Sequence, residues 1–172
     1  MTGPFRLEAG GRRIDRRRRL RFRFDGRSLA GFEGDTLASA LAANGIRLVA
    51  RSFKYHRPRG ILAVGEEEPN ALVELRTGAR REPNSRAPEV ELFDGLRATS
   101  QNRRGPLAFD AMAVNQWFAP FLKAGFYYKT FMGPGRAWET LWEPLIRRAA
   151  GLGRAARAPD PDTYEEAHLH CD

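Results

Sequence analysis

Ten consecutive residues concentrate the reactive side chains of this protein. Arg51-Ser-Phe-Lys-Tyr-His-Arg-Pro-Arg-Gly60 holds three arginines, a lysine, a histidine and two aromatic rings. Guanidinium forks match phosphate and carboxylate geometry. Arg51, Lys54, His56, Arg57 and Arg59 are therefore candidate contacts for an anionic cofactor or an acidic partner. The plainer reading is a solvated basic loop. Glu66, Glu67 and Glu68 have the right type for general acid–base work, but three consecutive glutamates read more simply as a solvated turn. His168, His170 and Cys171 have the types of metal ligands, yet they crowd into the last residues of the chain, where a fraying tail is the simpler explanation. No metal site is expected there. The chain also lacks a Gly-x-Gly-x-x-Gly after a strand, a phosphate-cradling Gly-x-x-x-x-Gly-Lys-Ser/Thr loop and a Gly-x-Ser-x-Gly elbow. Nothing unites a nucleophile, a base and an orienting group, so catalysis by this chain alone is not expected.

The elements that must position the basic loop can be read from periodicity. Leu20-Arg-Phe-Arg-Phe24 alternates apolar and basic residues, the pattern of a half-buried strand. Asp25-Gly26 is a hairpin signal, and Ser28 to Phe32 reads as the returning strand. Asp35 or Thr36 is placed to cap a helix over Leu37–Asn44, and Gly45 to end it. Two hairpin strands followed by a helix form the opening of an α+β, β-grasp fold. Beyond the basic loop, Ala71–Leu75 and Glu89–Phe93 alternate as strands, while Thr77 to Pro88 has loop composition. Asp94-Gly95 turns the chain into a last strand at Leu96–Thr99.

The remainder changes character. Residues 107–148 hold all three tryptophans (Trp117, Trp138 and Trp142) together with Phe118, Phe121, Phe126, Tyr127, Tyr128 and Phe131. Short helices are expected at 108–118 and 137–150. So many large rings suggest a docking surface for another domain or subunit, with a satellite core as the alternative. The expected organisation is a disordered basic arm over 1–19, a β-grasp domain over 20–103, and a helical and loop extension over 104–172 that leads toward a further domain.

Composition sets bounds. With 172 residues, 42% apolar and 29% charged, the chain can form a core, but not a large one. The formal charge of +8 is concentrated in residues 12–23, which set eight arginines against Asp15 alone. A basic arm of that kind, with Phe22 and Phe24 between its arginines, has a nucleic-acid reading in which phosphates pair and bases stack. The nearly neutral body weakens that reading. No signal-peptide pattern is visible, and no run approaches the roughly 20 apolar residues of a spanning helix. The single cysteine excludes an internal disulfide. A cytoplasmic location with no membrane partner is the default expectation.

Several long strings carry a specific resemblance. They are Gly34-Asp-Thr-Leu-Ala-Ser-Ala-Leu41, the basic loop Arg51–Gly60, Glu68-Pro-Asn-Ala-Leu-Val73 and Asp94-Gly-Leu-Arg-Ala-Thr-Ser-Gln-Asn102, then Ala124-Gly-Phe-Tyr-Tyr-Lys-Thr-Phe-Met132, Ile146-Arg-Arg-Ala-Ala-Gly-Leu-Gly153 and Asp160-Pro-Asp162. In this order they resemble the N-terminal part of the α subunit of heterotetrameric sarcosine oxidase. The resemblance implies a β-grasp domain similar to [2Fe–2S] ferredoxins, followed by a linker into a dinucleotide-binding domain. It implies an assembled enzyme that oxidatively demethylates sarcosine with FAD, FMN and NAD and a folate-type acceptor. The implied partners are the remaining α-subunit domains and the β, γ and δ subunits.

The departures from that pattern matter as much. Cluster-bearing relatives place four cysteines at positions that fall near Ala63, Glu67 or Glu68, Ala71 and Thr99. None is cysteine here, and such a cluster needs four thiolates. The resemblance therefore implies the ferredoxin-like fold without its cluster, no cofactor bound by this chain alone, and a structural, docking role. Arg104-Gly105 stands where the family would have Trp-Pro.

Overall fold

The computed structural model describes residues 3–126, 131, 133 and 135–159. Strand β1 (Asp15–Phe24) pairs antiparallel with β2 (Arg27–Glu33) through the turn at Asp25-Gly26. Helix α1 (Leu37–Ala43) follows, then two short paired strands, β3 (Ala50–Arg51) and β4 (Pro58–Arg59). Strands β5 (Leu72–Leu75), β6 (Glu82–Arg86) and β7 (Arg97–Ser100) complete a five-stranded sheet in the order β2-β1-β7-β5-β6. The β1–β7 pair is parallel, and every other pair is antiparallel. This is the β-grasp arrangement that alternation and capping signals predicted.

The core lies between α1 and the sheet. Phe22 and Phe24 point inward from β1 while Arg21 and Arg23 point out. They meet Leu37, Ala40 and Leu41 of α1, Val73 of β5 and Leu96 beside β7. A capping box holds the helix start: Thr36 Oγ1 accepts from the Ser39 amide and Ser39 Oγ from the Thr36 amide. Asp35, fully enclosed, accepts both prongs of the Arg6 guanidinium at 3.1 and 2.6 Å. It also accepts from Ser39 Oγ and the Phe32 amide.

The structure corrects three local expectations. First, β1 starts at Asp15 rather than Leu20, so the expected disordered arm over 1–19 is partly sheet. Described residues ahead of it are tied down as well: the Phe5 amide bonds the Ala43 carbonyl, and the Arg16 guanidinium bonds the carbonyls of Leu7 and Gly10. Second, Glu82–Arg86 is a strand despite its loop-like composition. It lies at the sheet edge, where Pro83 costs no ladder bond and Asn84 can take its φ of 64°. Third, Glu89–Phe93 is no strand. Its Val90 carbonyl and Leu92 amide bond Leu37 and Asp35 at the helix start, and Leu92 is buried in the core. Alternation reported the burial correctly, but no partner strand was there to pair with.

In the extension, a 3-10 helix spans Ala111–Gln116 within the expected 108–118 helix, and a π-helical turn at Trp138–Trp142 runs into α2 (Glu143–Ala150). Gly151 ends α2 at φ 70°, and a Cβ there would lie 2.7 Å from Asn102 Cα. Glycine is thus required twice over, for the left-handed turn and for the close approach. No helix among the described residues is long and apolar enough to cross a membrane.

Candidate functional site

Two loops between α1 and β5 hold the candidate residues. In the second, residues 60–71, the chain turns at Gly65 with the Glu68 amide donating to the Gly65 carbonyl. Glu66 and Glu67 are exposed, as a solvated turn requires. Glu68 corrects that expectation: it is 0% exposed. One carboxylate oxygen accepts from the amides of Leu62 and Ala63, both at 2.6 Å. The other accepts from Asn70 at 2.7 Å and Ala71 at 3.1 Å. Burial alone raises the carboxyl pKa. The bonds from Ala63, Asn70, Leu62 and Ala71 together outweigh it, and the net pKa lies below the ordinary 4.5. Among the described residues, no arginine, lysine or histidine pairs with this carboxylate, so backbone dipoles alone oppose its charge.

The basic loop folds inward at two of its five candidates. Arg51 is buried, and its guanidinium donates to the carbonyls of Leu107 (2.7 and 2.9 Å), Ala108 (2.9 Å) and His56 (3.0 Å). His56 is 0% exposed, with Nδ1 2.6 Å from Asp110 Oδ2 and Nε2 2.9 Å from the Ala149 carbonyl. Asp110 also accepts from the amides of Arg104 and Met112, the latter capping the 3-10 helix. Tyr55 Oη donates to the Leu122 carbonyl, and Asn115 to that of Lys54. The loop is thus an interlock between the β-grasp unit and the extension. Lys54 and Arg57 lie over the Tyr55 ring, at 5.0 and 4.7 Å, and Arg57 and Arg59 are exposed. Only Lys54, Arg57 and Arg59 therefore remain placed to meet an outside group.

The aromatic residues of the extension divide into two sets. Phe126, Phe131 and Trp142 pack ring against ring, with centroids 5.9 and 4.8 Å apart. By contrast Phe109, Trp117 and Phe121 are 86%, 82% and 80% exposed, with Phe118 beside them at 53%. Tyr127, Tyr128, His168, His170 and Cys171 lie outside the described residues.

On the other side of the sheet, a cleft of about 760 Å³ separates the β5–β7 strands from α2. Thr99 lies in it, paired across the ladder with Glu74, which lines the same cleft. Val73 faces the core from the register position next to that pair. Thr99 therefore sits on the face opposite the core.

Residues 17–103, just over half of the chain, match the family described as the 2Fe-2S iron-sulfur cluster binding domain, and the chain belongs to that family. Among curated relatives, the sarcosine oxidase subunit alpha of Rhizobium meliloti (strain 1021) is 62% identical over 159 residues, 92% of this chain. That of Corynebacterium sp. (strain U-96) is 43% identical over 115 residues, 62% of this chain. The chain is homologous to a part of these subunits, spanning 16% and 12% of their lengths. A crystal structure of L-proline dehydrogenase from P. horikoshii aligns at a TM-score of 0.40 with 25% identity, over 51% of this chain and 16% of that one; this likeness carries no argument.

The residues present do not fit the cluster for which the family is described. The chain has one cysteine, and such a cluster needs four thiolates. The amides of Ala63 and Ala71, near which the resemblance would put two of the ligands, are bonded to Glu68, and Thr99 faces the opposite side of the sheet. Composition could not single out Glu68 or Asp110. The only local signal was the placement of Asp110 ahead of Ala-Met-Ala, the pattern of a helix cap.

Proposed function

We propose that this chain is the non-catalytic structural and docking domain of a sarcosine oxidase α subunit. In this reading the β-grasp unit holds the extension rigidly, and the extension presents Phe109, Trp117, Phe118 and Phe121 to the remaining α-subunit domains. Sarcosine oxidation itself, with FAD, FMN and NAD, belongs to those domains and to the β, γ and δ subunits. The observation that carries the reading is the exposed aromatic set standing directly on the Arg51–His56–Asp110 interlock. Exposed tryptophan and phenylalanine on a fixed scaffold are the residues on which interfaces concentrate their energy. Arg57 and Arg59 would border this contact, meeting an anionic cofactor or an acidic partner.

The test is co-expression with the remaining subunits and the rest of α, followed by pull-down and a flavin absorbance spectrum. Trp117→Arg with Phe121→Arg should weaken association by at least about thirtyfold, the loss of one hot-spot residue of about 2 kcal/mol. Undiminished co-purification of that double variant, with its own fold intact, would remove the docking role from this surface.

A further inference from the structure

We propose that the Glu68 carboxylate is a built-in substitute anion. It occupies the backbone nest where relatives of this fold hold a cluster, and it keeps the loop over residues 62–71 folded. The argument begins with the donors. Four amides, those of Leu62, Ala63, Asn70 and Ala71, converge on one point from the two ends of the loop. Converging amides form an anion-binding concavity of the kind used at phosphate and Fe–S sites. A loop that keeps such a nest after losing its thiolates leaves four donors to be satisfied, and buried amides without partners are costly.

Glu68 answers both needs at once. Its two oxygens divide the donors two and two, bridging the start of the loop to its end. The resemblance puts the second replaced ligand at Glu67 or Glu68, and of these two Glu68 is the one that turns inward. No cation pairs with it among the described residues, so its charge is matched to the nest as an anionic ligand's would be. Leu62 and Val64 stand outside the nest, 73% and 90% exposed, so apolar packing of these two does not hold the first arm. The nest is then a small-anion site, filled from within, and its ligand class is a single carboxylate.

The experiment uses Glu68→Ala in the full chain, read by hydrogen exchange and by stability with and without added formate. The four amides should lose protection by at least tenfold in the variant relative to the native protein, about the loss of one charged hydrogen bond. Formate should restore that protection saturably, with chloride at equal ionic strength as the control. Protection unchanged in the variant, or lost and not restored by formate, overturns the proposal. Should Glu68→Ala fail to fold, the native chain still decides the matter. Carboxyl titration by nuclear magnetic resonance should place Glu68 below 4.5, the ordinary value, and a pKa at or above it overturns the proposal.

Discussion

Replacing His56 and Asp110, singly and together, isolates the contact on which the interlock rests. The Nδ1–Oδ2 distance is 2.6 Å, and the side chains are 1% and 0% exposed. The other ring nitrogen faces the Ala149 carbonyl. Each ring nitrogen thus faces an oxygen, and both are engaged. Losing one member of such a buried pair leaves the other without its hydrogen-bond partner, at about 1–3 kcal/mol. His56→Ala should therefore destabilise the chain by about that amount. Asp110→Ala should cost more, because the amides of Arg104 and Met112 lose an acceptor as well. The double variant removes both partners and strands neither, so its cost should fall short of the sum by about 1–2 kcal/mol. Urea unfolding of the four proteins gives the cycle. Hydrogen exchange on the same set should show loosening first in residues 104–116 and around Ala149, with β1 and β2 unaffected. A coupling energy within about 0.5 kcal/mol of zero would refute the reasoning. The basic loop would then be an ordinary surface turn that happens to lie against the extension.

Two further outcomes follow from the same geometry. The Glu68 carboxyl has a lower pKa folded than its unfolded value of 4.5, so its contribution is complete above that value. The contribution should fade as pH drops through the folded pKa. Glu68→Gln should lose stability at neutral pH and flatten the acid limb of the stability curve measured by urea unfolding. Arg57→Ala with Arg59→Ala should leave the isolated chain within about 0.5 kcal/mol of native while lowering flavin or NAD occupancy of the assembled oxidase. Unchanged occupancy would discard the proposed contact with an anion.

How legible each part was depends on the reach of its interactions. Phe22 and Phe24, the Asp25-Gly26 turn and the helix cap report themselves through neighbours in sequence: the first two were read correctly, and the cap was narrowed to Asp35 or Thr36, of which Thr36 holds it. The strand at Glu82–Arg86 was hidden because an edge position excuses Pro83 and Asn84, and no composition reveals which strand will be an edge. The fates of Arg51 and His56 were hidden for a different reason. Their partners lie 56, 54 and 93 residues further on, at Leu107, Asp110 and Ala149. A solvent-facing arginine and one that clamps a distant carbonyl have the same letter. Glu68 is the opposite case, since all its partners lie within six residues. It was missed because the identity of three adjacent glutamates does not say which one the turn at Gly65 sends inward.

These misread charges share one physical cause. Between α1 and β5 the chain has only two paired segments of two residues each, β3 and β4, so most of its backbone groups there have no ladder to join. A cluster would organise the second loop from its centre, and with one cysteine that route is closed. Apolar side chains cannot replace it, because they fill space without satisfying amides or carbonyls. Charged side chains can: a carboxylate collects several amides, and a guanidinium several carbonyls. Glu68 does the first at the nest, and Arg51 does the second at the extension. The density of ionisable residues between 51 and 68 then follows in large part from the shortage of regular structure, and the binding role proposed for Arg57 and Arg59 concerns the charges of this loop that stay exposed.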